Sequence, residues 1–240
     1  MIRLFTTWYQ SGSAARQAEL EECLQRNLVN PHLGQICLWQ DSGENLPPHP
    51  KLLVRREKSP PEFNDFFAWA NAVCPPGEVA IIANNDIWFD DTIRLAETVT
   101  ANQVFALLRW ESDGRLLQDD KGRLRWDSQD TWIFQTPIRD IGARHCLGKP
   151  RTENALAYRL WRLGYDLRNP AKSIHSHHHH ASQVRNPHFV AARIPPPWLH
   201  LEPLELHTPP RYKILRKTFN PKWAFVKLKN RLTSKARPPR

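Results

Sequence analysis

The chain has 240 residues, 40% hydrophobic and 24% charged, which suits one α/β domain with room for an appendage. No apolar run approaches the length of a membrane span and no signal-peptide core opens the chain, so a cytoplasmic protein, or one peripheral at the inner face of the membrane, is expected. Of the net charge of +10, residues 211–240 hold eleven Lys and Arg and no acid, which leaves residues 1–210 at −1 and makes nucleic acid an unlikely partner for the domain. The four cysteines, Cys23, Cys37, Cys74 and Cys146, show no paired spacing and read as free thiols.

Residues 1–9 begin as an apolar strand and end in Thr6, Thr7, Trp8 and Tyr9. Ser13 is placed to cap a helix over residues 14–28, with Leu20, Cys23, Leu24 and Leu28 on one face. Short strands are expected at 35–39 and 51–54, and a helix at 62–73 whose buried face is Phe63, Phe66, Phe67 and Ala70. Pro75-Pro76-Gly77 ends that helix. Val79, Ala80, Ile81, Ile82 and Ala83 then read as a strand buried on both faces. It stops abruptly at Asn84-Asn85-Asp86, with Asp90 and Asp91 close behind. A helix to about residue 100, a strand over 103–110, a charged surface loop or hairpin over 111–123 and a strand within 131–134 follow. An amphipathic helix spans 153–163, with Leu156, Tyr158, Leu160 and Leu163 as its apolar side and Gly164 as its stop. A short strand at 165–168 precedes the histidine-rich run His175–His180. From Pro187 the composition turns Pro-rich, so two regions are expected: a domain over 1–186, and a loosely packed extension with a basic tail over 187–240.

Several of these residues suit chemistry as well as structure. Ligands of open α/β sheets gather at the C-terminal ends of strands, where Asn84–Asp86 lie. A carboxylate there can hold a divalent cation, or the three residues can simply turn the chain, with Asp90 and Asp91 capping the next helix. His178 and His180 stand two apart, so on an extended segment both imidazoles point the same way as metal ligands do, unless the run is only a solvated one. Glu153, at a helix start, would stay ionised and suit a base, or it is a first-turn acid in a capping arrangement behind Thr152. Asp127 and Asp130 bind substrate hydroxyls or serve as turn residues, and Asn64-Asp65 sits where helix capping is the plain account. No Gly-rich phosphate loop, nucleophile elbow or zinc-type cysteine pattern is present in the sequence.

Taken in order, the strand ending in Thr-Thr-Trp-Tyr, Asn84-Asn85-Asp86 after a buried strand, Ser-Gln-Asp-Thr-Trp-Ile-Phe over 128–134, Glu153-Asn154 opening a helix, and the His-rich run ending at Asn186 resemble GT-A type, family-2-like nucleotide-sugar glycosyltransferases. The resemblance covers about residues 1–186 and implies an α/β fold with a mixed, mostly parallel sheet flanked by helices. It implies transfer of a hexose or deoxyhexose from a nucleotide-diphosphate donor, UDP-sugar favoured, to a glycan or lipid-linked acceptor, with inversion, as in polysaccharide biosynthesis. It implies Mn2+ or Mg2+ held by Asp86 with His180, and His178 as second choice, and Glu153 as the base. Thr6, Thr7 and Trp8, Asn64 and Asp65, and Asn84 and Asn85 fall where such enzymes bind the nucleotide-sugar; Asp130 and Asn154 fall at sugar or acceptor positions.

Two departures matter. Asn84 stands where the metal motif commonly has an acid, and Glu153 where Asp is frequent. They admit an inactive transferase fold whose working part is the tail. There, Trp223, Phe225 and Val226 interleave with Lys222, Lys227 and Lys229, a pattern that suits an anionic membrane surface or nonspecific nucleic-acid binding.

Overall fold

The computed structural model describes residues 1–41, 46, 48–182 and 194–216. The first half alternates strand and helix as the periodicity requires: β1 (Ile2–Trp8), α1 (Ala14–Val29), β2 (Leu33–Gln40), β3 (Leu52–Arg56), α2 (Phe63–Val73) and β4 (Val79–Ala83). Ser13 caps α1 through a hydrogen bond from the Arg16 backbone N–H. Then come β5 (Ile87–Phe89), a 3-10 helix (Asp91–Thr98), β6 (Gln103–Leu107), β7 (Thr131–Gln135), α3 (Thr152–Arg162), β8 (Asp166–Arg168) and β9 (Ser176–His178). A hairpin of β10 (Trp198–Leu201) and β11 (Tyr212–Leu215) follows.

Seven strands form one sheet in the order β3-β2-β1-β4-β7-β6-β8. Only β7 runs against its neighbours, pairing antiparallel with both β4 and β6. The reversal brings the start of β7 beside the end of β4, with Thr131 opposite Ala83. Side-chain alternation sorts the strands into two cores. Leu4, Ile36, Leu38, Ile81 and Ala83 face α1 and the 3-10 helix, while Phe5, Cys37, Ala80, Ile82 and Trp132 face α2 and α3. Both faces of β4 are therefore covered, which is why it reads as an unbroken apolar run.

The structure departs from the sequence expectations in four places. The segment after Asp90 is a 3-10 helix rather than an α-helix, and it is capped by Asp90. β6 ends at Leu107, three residues early, because Asn169 takes the Leu108 N–H. Leu163 is 45% exposed; Ala155, Leu156, Ala157 and Leu160 bury the inner side of α3. The region from Pro187 is not all loose: Leu199 and Leu201 on β10 are 0% and 1% exposed and join the core on the α3 side. Of the basic tail, only residues 211–216 are among the described ones, so the proposed membrane-binding residues Lys222–Lys229 lie outside them. Among the described residues no helix is long and apolar enough to cross a membrane. All four cysteines are free, three of them buried.

If the hairpin belongs to the core, Leu199→Ala should cost about 2–5 kcal/mol, as for other buried Leu. Urea denaturation measures it. A loose extension would give a change within about 0.5 kcal/mol.

Candidate functional site

Asp86 is set by a tight turn at the end of β4. The Asn84 N–H donates to the Asp130 carbonyl (3.1 Å), its amide nitrogen to the Asp130 carboxylate (2.9 Å), and its own carbonyl accepts from Ile87 N–H (3.2 Å). Asn84 thus fastens the turn to the start of β7 and leaves Asp86 to point inward, only 7% exposed. Asp86 Oδ2 accepts from the Arg16 guanidinium at 2.6 Å, and His178 Nε2 and His180 Nδ1 lie 3.5 and 3.8 Å from the same oxygen. The ligand atoms of Asp86, His178 and His180 all fall within 4.8 Å of one another. Asp86 Oδ1 is buried and has no hydrogen-bond partner. Burial works against its charge, but His178 and Arg16 outweigh that and hold the carboxyl well below the usual range.

His178 is itself oriented from behind. Its Nδ1 lies 3.0 Å from Glu111 Oε2, so Nε2 is the nitrogen turned to Asp86. A carboxylate behind a metal-facing imidazole is the usual way such a ring is held. Burial would lower the imidazole's pKa; the Asp86 and Glu111 hydrogen bonds reverse this and raise it to about 9. Glu111 is in turn held by Arg109, at 2.6 Å, and Arg109 reaches Asp130 at 3.0 Å.

The histidine run divides by side-chain direction. His178 and His180 meet Asp86, His179 meets Glu22 at 3.1 Å, and His175 and His177 meet Asp90 Oδ2 at 3.1 and 3.0 Å. Asp90 therefore both caps the 3-10 helix and gathers two histidines.

Glu153 occupies the first turn of α3. The helix begins at Thr152, after Arg151 in the left-handed region (φ 72°), and no side-chain cap is formed. The capping arrangement behind Thr152 is thus absent. Glu153 Oε2 is buried and has no partner. Burial first, against its own backbone N–H, and then the nearby Asp130 carboxylate push its carboxyl up to about 8. The expectation of an acid kept ionised by the helix terminus is overturned, because desolvation exceeds the helix-end effect.

Asn154 is fully buried, its amide donating to the Asp127 carbonyl (3.0 Å) and accepting from Arg151 (3.1 Å). These bonds fasten the start of α3 to Asp127 and Arg151. Asp130 sits between Asn84 and Arg109, 7% exposed. Thr6, Thr7 and Trp8 come together with Asn85 around a cleft of about 10 Å³, the room of about one water. Thr6 Oγ1 and Asn85 Nδ2 are buried there without partners. Asn64 and Asp65 hold the start of α2. Asp65 accepts from the Glu62 N–H at 2.8 Å in a capping box, and Asn64 ties Asp140 and Ala143 to the start of α2.

The residues that sequence reasoning missed are Arg16, Arg109 and Glu111, and it did not foresee that Asp90 gathers His175 with His177. Arg16 left a trace: with Leu20, Cys23 and Leu24 it falls on the buried stripe of α1, where a charge needs a partner. Glu111 left none, as it opens a segment that reads as solvated surface.

No protein-family model matches the sequence, and no curated protein matches it in a sequence comparison. Solved structures do match. The mannosyltransferase PcManGT from Pyrobaculum calidifontis, solved with GDP-Man and Mn2+, aligns with 78% of this chain and 58% of its own at a TM-score of 0.51 and 10% identity. GalNAc-T7, solved with UDP, GalNAc and Mn2+, aligns with 80% of this chain and 46% of its own at 0.49 and 11% identity. The chain spans about half the length of these two structures. Its fold is that of the GT-A type glycosyltransferases, a mixed, mostly parallel sheet flanked by helices.

An acid raised to about 8 has a signature in stability. Between about pH 4.5 and 8 the folded state keeps the Glu153 proton that the unfolded chain has lost, so stability falls as pH rises through that window. Glu153→Gln removes this dependence. Its Tm should match the parent at pH 4 and exceed it increasingly up to about pH 8, by about 2–4 °C per kcal/mol. A pH-independent Tm difference in scanning calorimetry would contradict a protonated Glu153.

Proposed function

We propose that this protein is a metal-dependent glycosyltransferase that moves a hexose or deoxyhexose from a nucleotide-diphosphate donor, UDP-sugar favoured, to a hydroxyl of a glycan or lipid-linked acceptor, with inversion. The observation that carries the reading is the convergence of Asp86, His178 and His180 at the end of the central strand, with Asp86 Oδ1 buried and unpartnered. A buried carboxylate oxygen without a donor is costly, and an ion is one of the few things that accounts for it. The donor set fits: one carboxylate and two imidazoles suit Mn2+ better than Mg2+, which prefers oxygen and gives up water reluctantly. Held by these three side chains, Mn2+ would supply positive charge against the leaving diphosphate.

The chain's own residues do the rest. Glu111 and Arg109 keep the His178 ring oriented toward Asp86. Thr6, Thr7, Trp8 and Asn85 gather at the end of β1 and leave Thr6 Oγ1 and Asn85 Nδ2 as unspent polar groups for the nucleoside. Asp130, locked by Asn84 and Arg109, marks the sugar side. Glu153 accepts the proton of the attacking hydroxyl. Its elevated pKa makes it a stronger base once ionised, and it becomes ionised near the pH at which it works.

Thermal shift with UDP and Mn2+ tests the site. UDP should raise Tm only when Mn2+ is present, and Asp86→Ala should remove the rise. A UDP shift equal with and without metal would sink the reading. Glu153→Gln should retain the shift and lower turnover by about 10²–10⁴-fold. With a donor in hand, kcat/KM should climb with pH and level off above about 8, the ionisation of Glu153; normal turnover by the Gln variant places the base elsewhere.

A further inference from the structure

We propose that Asp90, His175 and His177 form a second metal site, separate from the Asp86 cluster and suited to a Zn2+-class ion, which clips β9 to the loop after β5. The three ligand atoms lie within 4.8 Å of one another. Asp90 Oδ2 is 3.1 Å from His175 Nδ1 and 3.0 Å from His177 Nε2. Ligands held about 2.0–2.1 Å from a four-coordinate ion stand roughly 3.3 Å apart, so both Asp90–imidazole separations lie within a few tenths of an ångström of that spacing. Two imidazoles and one carboxylate are a borderline-soft set, which favours Zn2+ over Mg2+.

The ligands are held from behind. Asp90 Oδ1 accepts the backbone N–H and the hydroxyl of Thr92, which turns Oδ2 toward the histidines. Thr92 Oγ1 also accepts from the His175 N–H at 2.8 Å. Trp88 stacks on the His177 ring, 4.2 Å between centroids and 15° from parallel, and the Arg26 guanidinium lies 4.4 Å from the Trp88 ring centre. Trp110 flanks His175 at 4.6 Å. A cleft of about 290 Å³, lined by Arg26, Asn30, Trp88, Asp90 and Asp91 among others, opens beside Asp90. Asp90 lines it, so the acid of the cluster borders open space. None of these groups belongs to the Asp86 set, so the site does not depend on the transferase reading.

Its effect follows from the pairing of β5 with β9. Ile87 is opposite His178, Trp88 opposite His177 and Phe89 opposite Ser176. An ion bound by Asp90, His175 and His177 fixes this three-residue ladder from its far end. The same ladder delivers His178 and His180 to Asp86. The second ion is thus structural, a clamp on the strand that carries the first site's ligands.

Zn2+ titration of the metal-stripped full chain by calorimetry tests the assignment. Two equivalents are expected for the parent, one for Asp86→Ala, and one for His175→Ala/His177→Ala. Co2+ bound to Asp86→Ala should give the visible bands of a four-coordinate ion, and Asp90→Asn added to that variant should abolish them. Should Asp86→Ala fail to fold, His180→Ala replaces it in both measurements. An unchanged stoichiometry in the double histidine variant overturns the proposal. So does a parent that binds one equivalent, lost in Asp86→Ala, and that result leaves the Asp86 site standing. Visible bands that survive Asp90→Asn also overturn it.

Discussion

Asp86 places a negative charge at the end of the central strand, where the sheet, α1 and β9 leave it almost no water. Such a charge is tolerable only with opposite charge and hydrogen bonds close by, and removing one partner of a buried pair costs about 3–5 kcal/mol. The surrounding elements answer that demand in turn. From Glu19 through Arg16, Asp86, His178, Glu111 and Arg109 to Asp130, acids and bases alternate in one connected row. α1, the β4 turn, the segment after β6, β9 and the start of β7 each contribute to it. The row ends at an acid, and Glu153 is the next carboxyl along, so its proton is kept by its neighbour's charge as well as by burial. The Asp86 cluster and Glu153 are thus electrostatically joined through one row of side chains.

Much of the fold is legible in the sequence because it rests on local signals. The alternation in β1 and β4, the Ser13 cap and the apolar faces of α1 and α2 each declare themselves over a few residues. β5 does not: Ile87–Phe89 is too short to show a period, and what makes it a strand is pairing with β9, almost ninety positions away. The same limit applies to the site. Asp86 stands out because a buried strand stops at it. Asn84, expected beside the nucleotide-sugar, is a fastener to Asp130, and Asn64 and Asp65 secure a helix start; all three are polar residues at strand or helix ends, where binding and capping look alike in sequence. Arg109 and Glu111 became visible only when the structure brought residues 67–69 positions apart together with His178.

The histidine run shows how one short segment can serve acids on both of its sides, Asp86 on one and Asp90 on the other. In an extended chain alternate side chains diverge, and the step between His177 and His178 exchanges one set for the other. Asp86 and Asp90 are four residues apart on the facing segment, with β5 between them. A one-residue slip of β9 would give each acid the wrong histidines, so the register is set by charge pairing as well as by the backbone ladder.

The reversal of β7 has a further consequence for how the molecule can vary. The chain leaves the sheet after Leu107 and returns at Asp130, whose N–H bonds the Leu107 carbonyl at 3.2 Å. The excursion between them is closed at its neck. Arg109 and Glu111 stay at the neck, while the turns at Gly114 and Gly122 lie outward. Once a loop is closed in this way, doubling its length adds only about 0.6 kcal/mol of entropy. Its outer part is therefore a place where length and sequence can drift at little thermodynamic penalty while the charged row behind it keeps its geometry, so new surface can be added beside the site without re-engineering the site itself.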